Sequence, residues 1–250
     1  MFRAKYQKVA VLKKVVEAVK DLVSAASFEC GPDGVILEAM DSSHVSFIAL
    51  LLRADSFDEY LCEKPSVLCV DFPQLGAVLK TAGNESAVVL EAKEGGDKLK
   101  LTFLSAKDNI TASFELKLLD LQAEQLSIPK CDYQCDVELP AADFQKVVRD
   151  LANVEGDSIA IGCSKQAIEF ACSGRIADGS MRFPATKTAF IVKDTVKQLF
   201  ALKYLAHFAK ATPLSDNVHL CMSQDLPMLV EYVIEDYGYL KFYLAPKIED

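Results

Sequence analysis

A chain of 250 residues, 51% hydrophobic, is long enough to bury one large core or two ordinary ones and too apolar to remain disordered. With 27 basic and 36 acidic side chains it carries a net charge of −9, which excludes a uniformly basic nucleic-acid-binding surface. The longest apolar run beside a strand, Phe47 to Leu52, is six residues, far below the ~20 needed to cross a bilayer. The N-terminal MFRAKYQKVAV has no secretory h-region, so an intracellular protein with no membrane partner is expected.

In chain order, Leu12, Val15, Val16, Val19 and Leu22 fall on one face and predict a helix over 9–22. SFECGPDGVIL (27–37) reads as strand, turn, strand. A second helix is predicted over 72–82. Strands follow: Leu99, Leu101 and Phe103 alternate with Lys98, Lys100 and Thr102, and Phe114, Leu116 and Leu118 with Ser113, Glu115 and Lys117. The segment 119–133 carries no helical stripe, and Pro129 would break a helix there. Its Leu126 and Ile128 are two apart and point the same way in an extended chain.

The pattern then repeats. FQKVVRDLANV (144–154) resembles LKKVVEAVKDL (12–22), AIGCSKQAIEF (160–170) resembles 27–37, and LAHFAKATPLSDNVHLCM (205–222) resembles LGAVLKTAGNESAVVLEA (75–92). Helices are expected over 141–153 and 200–211, and Leu240, Phe242 and Leu244 mark a final strand. The expected fold is therefore α+β: two tandem pseudo-repeated domains of antiparallel sheets with two helices each, over 1–118 and 134–250, joined by the 119–133 connector.

Chemistry-bearing motifs are sparse. AMDSSHVSF (39–47) sets Asp41, Ser42, Ser43 and His44 side by side and raises the question of a hydrolase. In a strand-like segment adjacent residues alternate faces, so they cannot form a nucleophile–base–orienter chain on their own. No Gly-x-Ser-x-Gly, phosphate loop or metal cluster occurs, and no catalytic residue is expected. Of the eight cysteines, only Cys131 and Cys135 lie close, without the partners a zinc site needs; no metal and no cofactor are expected.

The charge is segregated. The four helical segments hold Lys13, Lys14, Lys20, Lys80, Lys146, Arg149, Lys203 and Lys210 against Glu17, Asp21, Asp143 and Asp150, a balance of +4 that leaves −13 for the rest. Lys13 and Lys20, like Lys203 and Lys210, are seven apart and share an azimuth on a continuous α-helix. Lysines without interleaved aromatics bind phosphates and do not read bases, giving weak, salt-sensitive, sequence-independent contact.

MDSSHVS (40–46), LDLQAEQLSIP (119–129), AKATPLS (209–215), LVEYVIEDYGYLKFYLAPKIED (229–250) and LKKVVEAVKDL (12–22) together resemble the proliferating cell nuclear antigen family of eukaryotic sliding clamps, along the whole length of the chain. The resemblance implies a nuclear, non-enzymatic homotrimeric ring of six pseudo-repeated domains. It would be a processivity factor threaded by double-stranded DNA, with the eight basic residues above lining the hole. It implies partners as well: DNA polymerase, a clamp loader and other replication or repair proteins that dock short peptides. Their pocket would comprise Met40, His44, Val45, Leu126, Ile128, Pro227, Tyr243, Ala245, Pro246 and Ile248. Subunits would meet along the edges of TASFELKLL (111–119) and SMRF (180–183), with Phe114, Leu151, Val154 and Met181 at the interface.

Several positions depart from the family pattern. Phe47 replaces a smaller aliphatic residue, Ile110 and Ala77 stand where basic lining residues are common, and FPATKTAFIV (183–192) has lost part of an acidic loop. Lys165, on the turn of CSKQA, matches the family's regulatory modification lysine. Readings outside this one are a paralogous subunit confined to a heterotrimer and a scaffold protein that does not bind DNA.

Overall fold

The computed structural model describes residues 1–105, 107, 109–120, 132–185 and 189–248. Most of the 119–133 connector, with Leu126, Ile128 and Cys131, lies outside the described residues. The chain divides into two compact units, Met1–Ser42 with Ile48–Leu126 and Ile234–Leu240, and Ser43–Phe47 with Ser127–Val233 and Lys241–Asp250.

The first repeat begins β1 (Phe2–Tyr6), α1 (Ala10–Val19), β2 (Ala25–Gly31), β3 (Gly34–Met40) and β4 (Ser46–Arg53). It continues with β5 (Glu59–Cys62), β6 (Ser66–Asp71), α2 (Phe72–Lys80), β7 (Ala87–Ala92), β8 (Lys98–Ser105) and β9 (Ile110–Lys117). The second runs β10 (Cys135–Pro140), α3 (Ala141–Ala152), β11 (Ser158–Ser164), β12 (Ala167–Ser173) and β13 (Asp178–Pro184). After these come β14 (Ala189–Val192), β15 (Val196–Ala201), α4 (Leu202–Phe208), β16 (Asn217–Met222), β17 (Met228–Ile234) and β18 (Gly238–Leu244).

Strand order is β5-β1-β7-β8-β9 and β6-β2-β3-β4 in the first repeat, and β14-β10-β16-β17-β18 and β15-β11-β12-β13 in the second. Adding nine to each strand number converts one repeat into the other. Registers agree: Phe28 faces Leu37 as Ile161 faces Phe170, an offset of 133 on both strands. Phe28 also faces Leu68 as Ile161 faces Gln198, where the second offset is 130. The second repeat is thus three residues shorter between its β12 and β15 than the first between β3 and β6, in the stretch that contains FPATKTAFIV.

Period-two alternation builds these sheets. Leu99, Leu101 and Phe103 of β8 are buried, as are Leu240, Phe242 and Leu244 of β18, while the residues between them face outward. Turns need glycine at two places in particular. Gly34 (φ +141°) and Gly238 (φ +148°) open β3 and β18, and a Cβ there would lie 2.1 Å from the Leu52 carbonyl oxygen and 2.0 Å from that of Leu51.

The helices cover the inner faces of the sheets. In the first unit Leu12 of α1 and Leu75 of α2 line one small apolar cavity with Phe2, Phe28, Leu68 and Leu99, so both sheets and both helices share a core. In the second unit Phe144 of α3 meets Phe170 at 6.4 Å, and Phe208 of α4 stacks on Phe242 at 4.5 Å. Each such ring pair contributes about 0.5–1.5 kcal/mol beyond its buried area. Asp71 caps α2, its carboxylate accepting from the Gln74 amide at 2.8 Å.

Several helix boundaries differ from the sequence reading, and those of α1 and α4 bear on the basic residues. α1 stops at Val19, and Leu22 is held in a turn by its amide hydrogen bond to the Val19 carbonyl. Residues 200 and 201 belong to β15, so α4 starts at Leu202. α4 ends at Phe208 and the chain continues as a 3-10 segment, Ala209–Leu214, in which Pro213 has no amide to give. Lys203 and Lys210 therefore do not share an azimuth on one continuous α-helix. No described helix is long and apolar enough to cross a membrane.

Candidate functional site

The basic residues sit on the outer faces of the helices, and the structure separates those held by the fold from those that project. Lys13 is held. Its ammonium donates to the Ala82 carbonyl and to Asn84 Oδ1, tying α1 to the C-terminal end of α2, where positive charge suits the helix dipole. Partial burial lowers its pKa from the usual lysine value. In α3, Gln145, at the matching place in the repeat, likewise donates to the Ala209 carbonyl at 3.1 Å. A neutral side chain performs the same task, so the Lys13 head group works as a strut.

Glu17 organises the next two cations. Its carboxylate lies 2.8 Å from Lys20 Nζ on α1 and 3.9 Å from Lys80 Nζ on α2, and the bond to Glu17 raises the Lys20 pKa. Asp150 plays the same part on α3, pairing with Lys146 and, at 3.3 Å, with Arg149; the bond to Lys146 keeps its carboxyl below the ordinary aspartate value. Lys203 is exposed and lies over the Tyr204 ring at 5.0 Å, a cation–π contact that anchors its stem. Lys14, Lys80, Lys146, Arg149 and Lys210 are all exposed. Ala77 and Ile110 are exposed too, so neither α2 nor β9 supplies a cation at those places.

The expected docking residues fall in both units. Met40, at the end of β3 in the first, is half-buried. In the second unit Val45, Phe47, Tyr243 and Ala245 come together: the Ala245 amide donates to the Val45 carbonyl at 3.1 Å, and the Phe47 and Tyr243 rings are 5.9 Å apart. Phe47 thus presents an aromatic ring beside Tyr243. Pro227 is exposed, and its carbonyl accepts from the Tyr133 hydroxyl at 3.2 Å, which adds Tyr133 to the neighbourhood; nothing in its sequence context marked it. Pro246 is half-buried. The Lys247 amide donates to the Leu199 carbonyl at 2.7 Å, so the tail already lies along the β15 edge, and Ile248 is 90% exposed.

The Asp41–His44 stretch is a turn, not the strand-like segment expected from its sequence. β3 ends at Met40, β4 starts at Ser46, and His44 adopts a left-handed conformation, φ +55°. Asp41 is 5% exposed, while Ser42, Ser43 and His44 are exposed. A turn of this kind does not impose the alternation of faces expected of a strand. Burial pushes the Cys30 and Cys221 thiols up to about 12, which leaves them poor nucleophiles at neutral pH.

Of the expected interface residues, Phe114 lies on β9 against Phe103, ring centroids 5.9 Å apart. Leu151 is buried at the end of α3, where a Cβ on Gly179 of β13 would lie 3.0 Å from its Cδ2 and 3.5 Å from Val154 Cγ1. Met181 is half-exposed on β13, and Lys165 is exposed on the β11–β12 turn. Glu17 and Asp150 are the site residues the sequence reading missed. Each could be counted from sequence among the four acids of the helical segments, but the cations it holds could not be named there.

Two family models match. That of the N-terminal domain of proliferating cell nuclear antigen covers residues 1–127, and that of its C-terminal domain covers 127–247. Their junction falls where the first repeat gives way to the second. Together with the doubled α+β topology and the cationic helix faces, this places the chain in the proliferating cell nuclear antigen family of DNA sliding clamps.

Proposed function

We propose that this clamp, a processivity factor by family, works in the nucleus as a closed ring of three copies around duplex DNA. A clamp loader would set it there, and a DNA polymerase and other replication and repair proteins would dock on it through short peptides. The family is non-catalytic, and the chemistry expected of this member is positioning.

The observation that carries the ring is the state of the strand edges. β6 is covered where the Leu119 amide reaches the Cys69 carbonyl, and β15 where Lys247 reaches Leu199. β5 and β14 are four-residue strands. Among the described residues β9, with eight residues, and β13, with seven, are long open edges. Open edges of that length invite pairing with another chain. One lies in each unit, so a head-to-tail contact between them closes into a ring under the right rotation. Phe114, Leu151, Val154 and Met181 would pack behind that contact.

The basic helix faces support a phosphate-lined passage. Lys14, Lys20, Lys80, Lys146, Arg149, Lys203 and Lys210 would meet the backbone without reading sequence, with Lys13 bracing the helix pair. Val45, Phe47, Tyr243 and Ala245, with Met40, His44, Pro227, Pro246, Ile248 and the connector's Leu126 and Ile128, would receive partner peptides. Lys165 offers an exposed amine for modification. Native mass spectrometry at micromolar concentration tests the assembly. Three times the 27.4 kDa chain mass is expected; a stable monomer overturns the ring, and assembly only with a related chain favours a heterotrimer.

A further inference from the structure

The carboxylates on the basic faces are as regular as the cations. Glu17 on α1 and Asp150 on α3 each hold two basic residues and lie within one residue of each other in the repeat alignment, although the residues they hold differ. Glu17 bridges two helices: its side chain is 50% exposed, while that of its close partner Lys20 is only 19% exposed. Exposed ion pairs of this kind add little to fold stability, so stability alone is a weak reason for carboxylates at these two places.

Their effect on a phosphate is direct. An ammonium already facing a carboxylate offers a phosphate less net attraction, and the phosphate must share or displace that partner. A protein that stays on DNA by topology gains from such competition, because every contact must break again as the duplex moves. We infer that Glu17 and Asp150 are built-in competitors for the DNA phosphates, positioning residues that keep the grip of Lys20, Lys80, Lys146 and Arg149 weak enough to slide. The inference rests on the helix faces being the DNA-facing surface. The pKa directions of Lys20 and Asp150 agree with an engaged pair in the absence of DNA.

The test compares the assembled protein with its E17Q D150N variant on a fluorescent 30-bp duplex across a series of salt concentrations, with native mass checked for each. E94Q is the control. It removes an equal charge per site and an equally close ion pair, Glu94 with Lys64 at 2.7 Å, away from the helices. E17Q D150N should bind about tenfold more tightly at low salt, with a log–log salt slope steeper by about 0.9 for each phosphate newly engaged. Its diffusion along stretched DNA should slow several-fold, and E94Q should match the parent. Unchanged affinity and diffusion in E17Q D150N, or an equal gain in E94Q, overturns the inference. If K80E K203E weakens binding while E17Q D150N does nothing, only this inference falls. If neither pair alters binding, the DNA-facing reading falls and takes it along.

Discussion

Replacing Lys80 and Lys203 together by glutamate is expected to weaken duplex binding about tenfold or more at 0.15 M salt, leaving native mass unchanged. The estimate follows from counterion release: each lost phosphate contact removes about 0.9 from the salt slope, and two contacts correspond to roughly a decade over a fourfold change in salt. These two residues are the sharpest choice because neither is a structural strut. Lys80 meets Glu17 only at 3.9 Å, and Lys203 rests on the Tyr204 ring. Lys13 is a poorer probe, since removing it also unties α1 from the end of α2. The double variant should also shorten the tracts made by a polymerase working with the clamp. Unaltered binding would remove the helix faces from contact with DNA.

Tyr243→Ala is expected to reduce the affinity of a partner peptide 30-fold or more, on the order of 2 kcal/mol, as for an aromatic anchor at the centre of a docking site. Tyr243 and Phe47 form an aromatic pair beside the Val45–Ala245 hydrogen bond, so the truncation removes a large apolar surface there and leaves Phe47 without its ring partner. Tyr243 is half-exposed on β18, where Leu240, Phe242 and Leu244 carry the core, so the fold should survive. Fluorescence anisotropy with a labelled peptide, alongside native mass, reads the two effects separately. Parent-like peptide affinity in a trimeric variant would discard this site.

Much of the fold was legible because burial imposes a period. β8 and β18 alternate so cleanly that their inward sets could be named from sequence, and the stripe Leu12, Val15, Val16 and Val19 fixed the buried face of α1. The repeat was legible because two copies of one packing problem retain similar side chains. What escaped depends on contacts distant in sequence. Where α1 stops is decided by the turn at Lys20–Leu22, and where α4 stops by Pro213 and the hydrogen bonds of Thr212, neither of which breaks the apolar pattern. The strut role of Lys13 requires Ala82, 69 residues away, and the pairing of Lys247 requires Leu199. His44 reads as part of an extended run until its left-handed backbone turns the chain. Charge segregation could be counted from sequence, but the division between anchored and projecting lysines could not.

Encirclement is tested most directly by retention on closed and open DNA. Protein assembled on nicked circular duplex by a clamp loader, then challenged with about 1 M salt, where exposed charges are screened beyond ~3 Å, should remain on the circle and leave only when a single cut makes it linear. Release from the intact circle at the salt that frees the protein from linear DNA would contradict a ring held by topology.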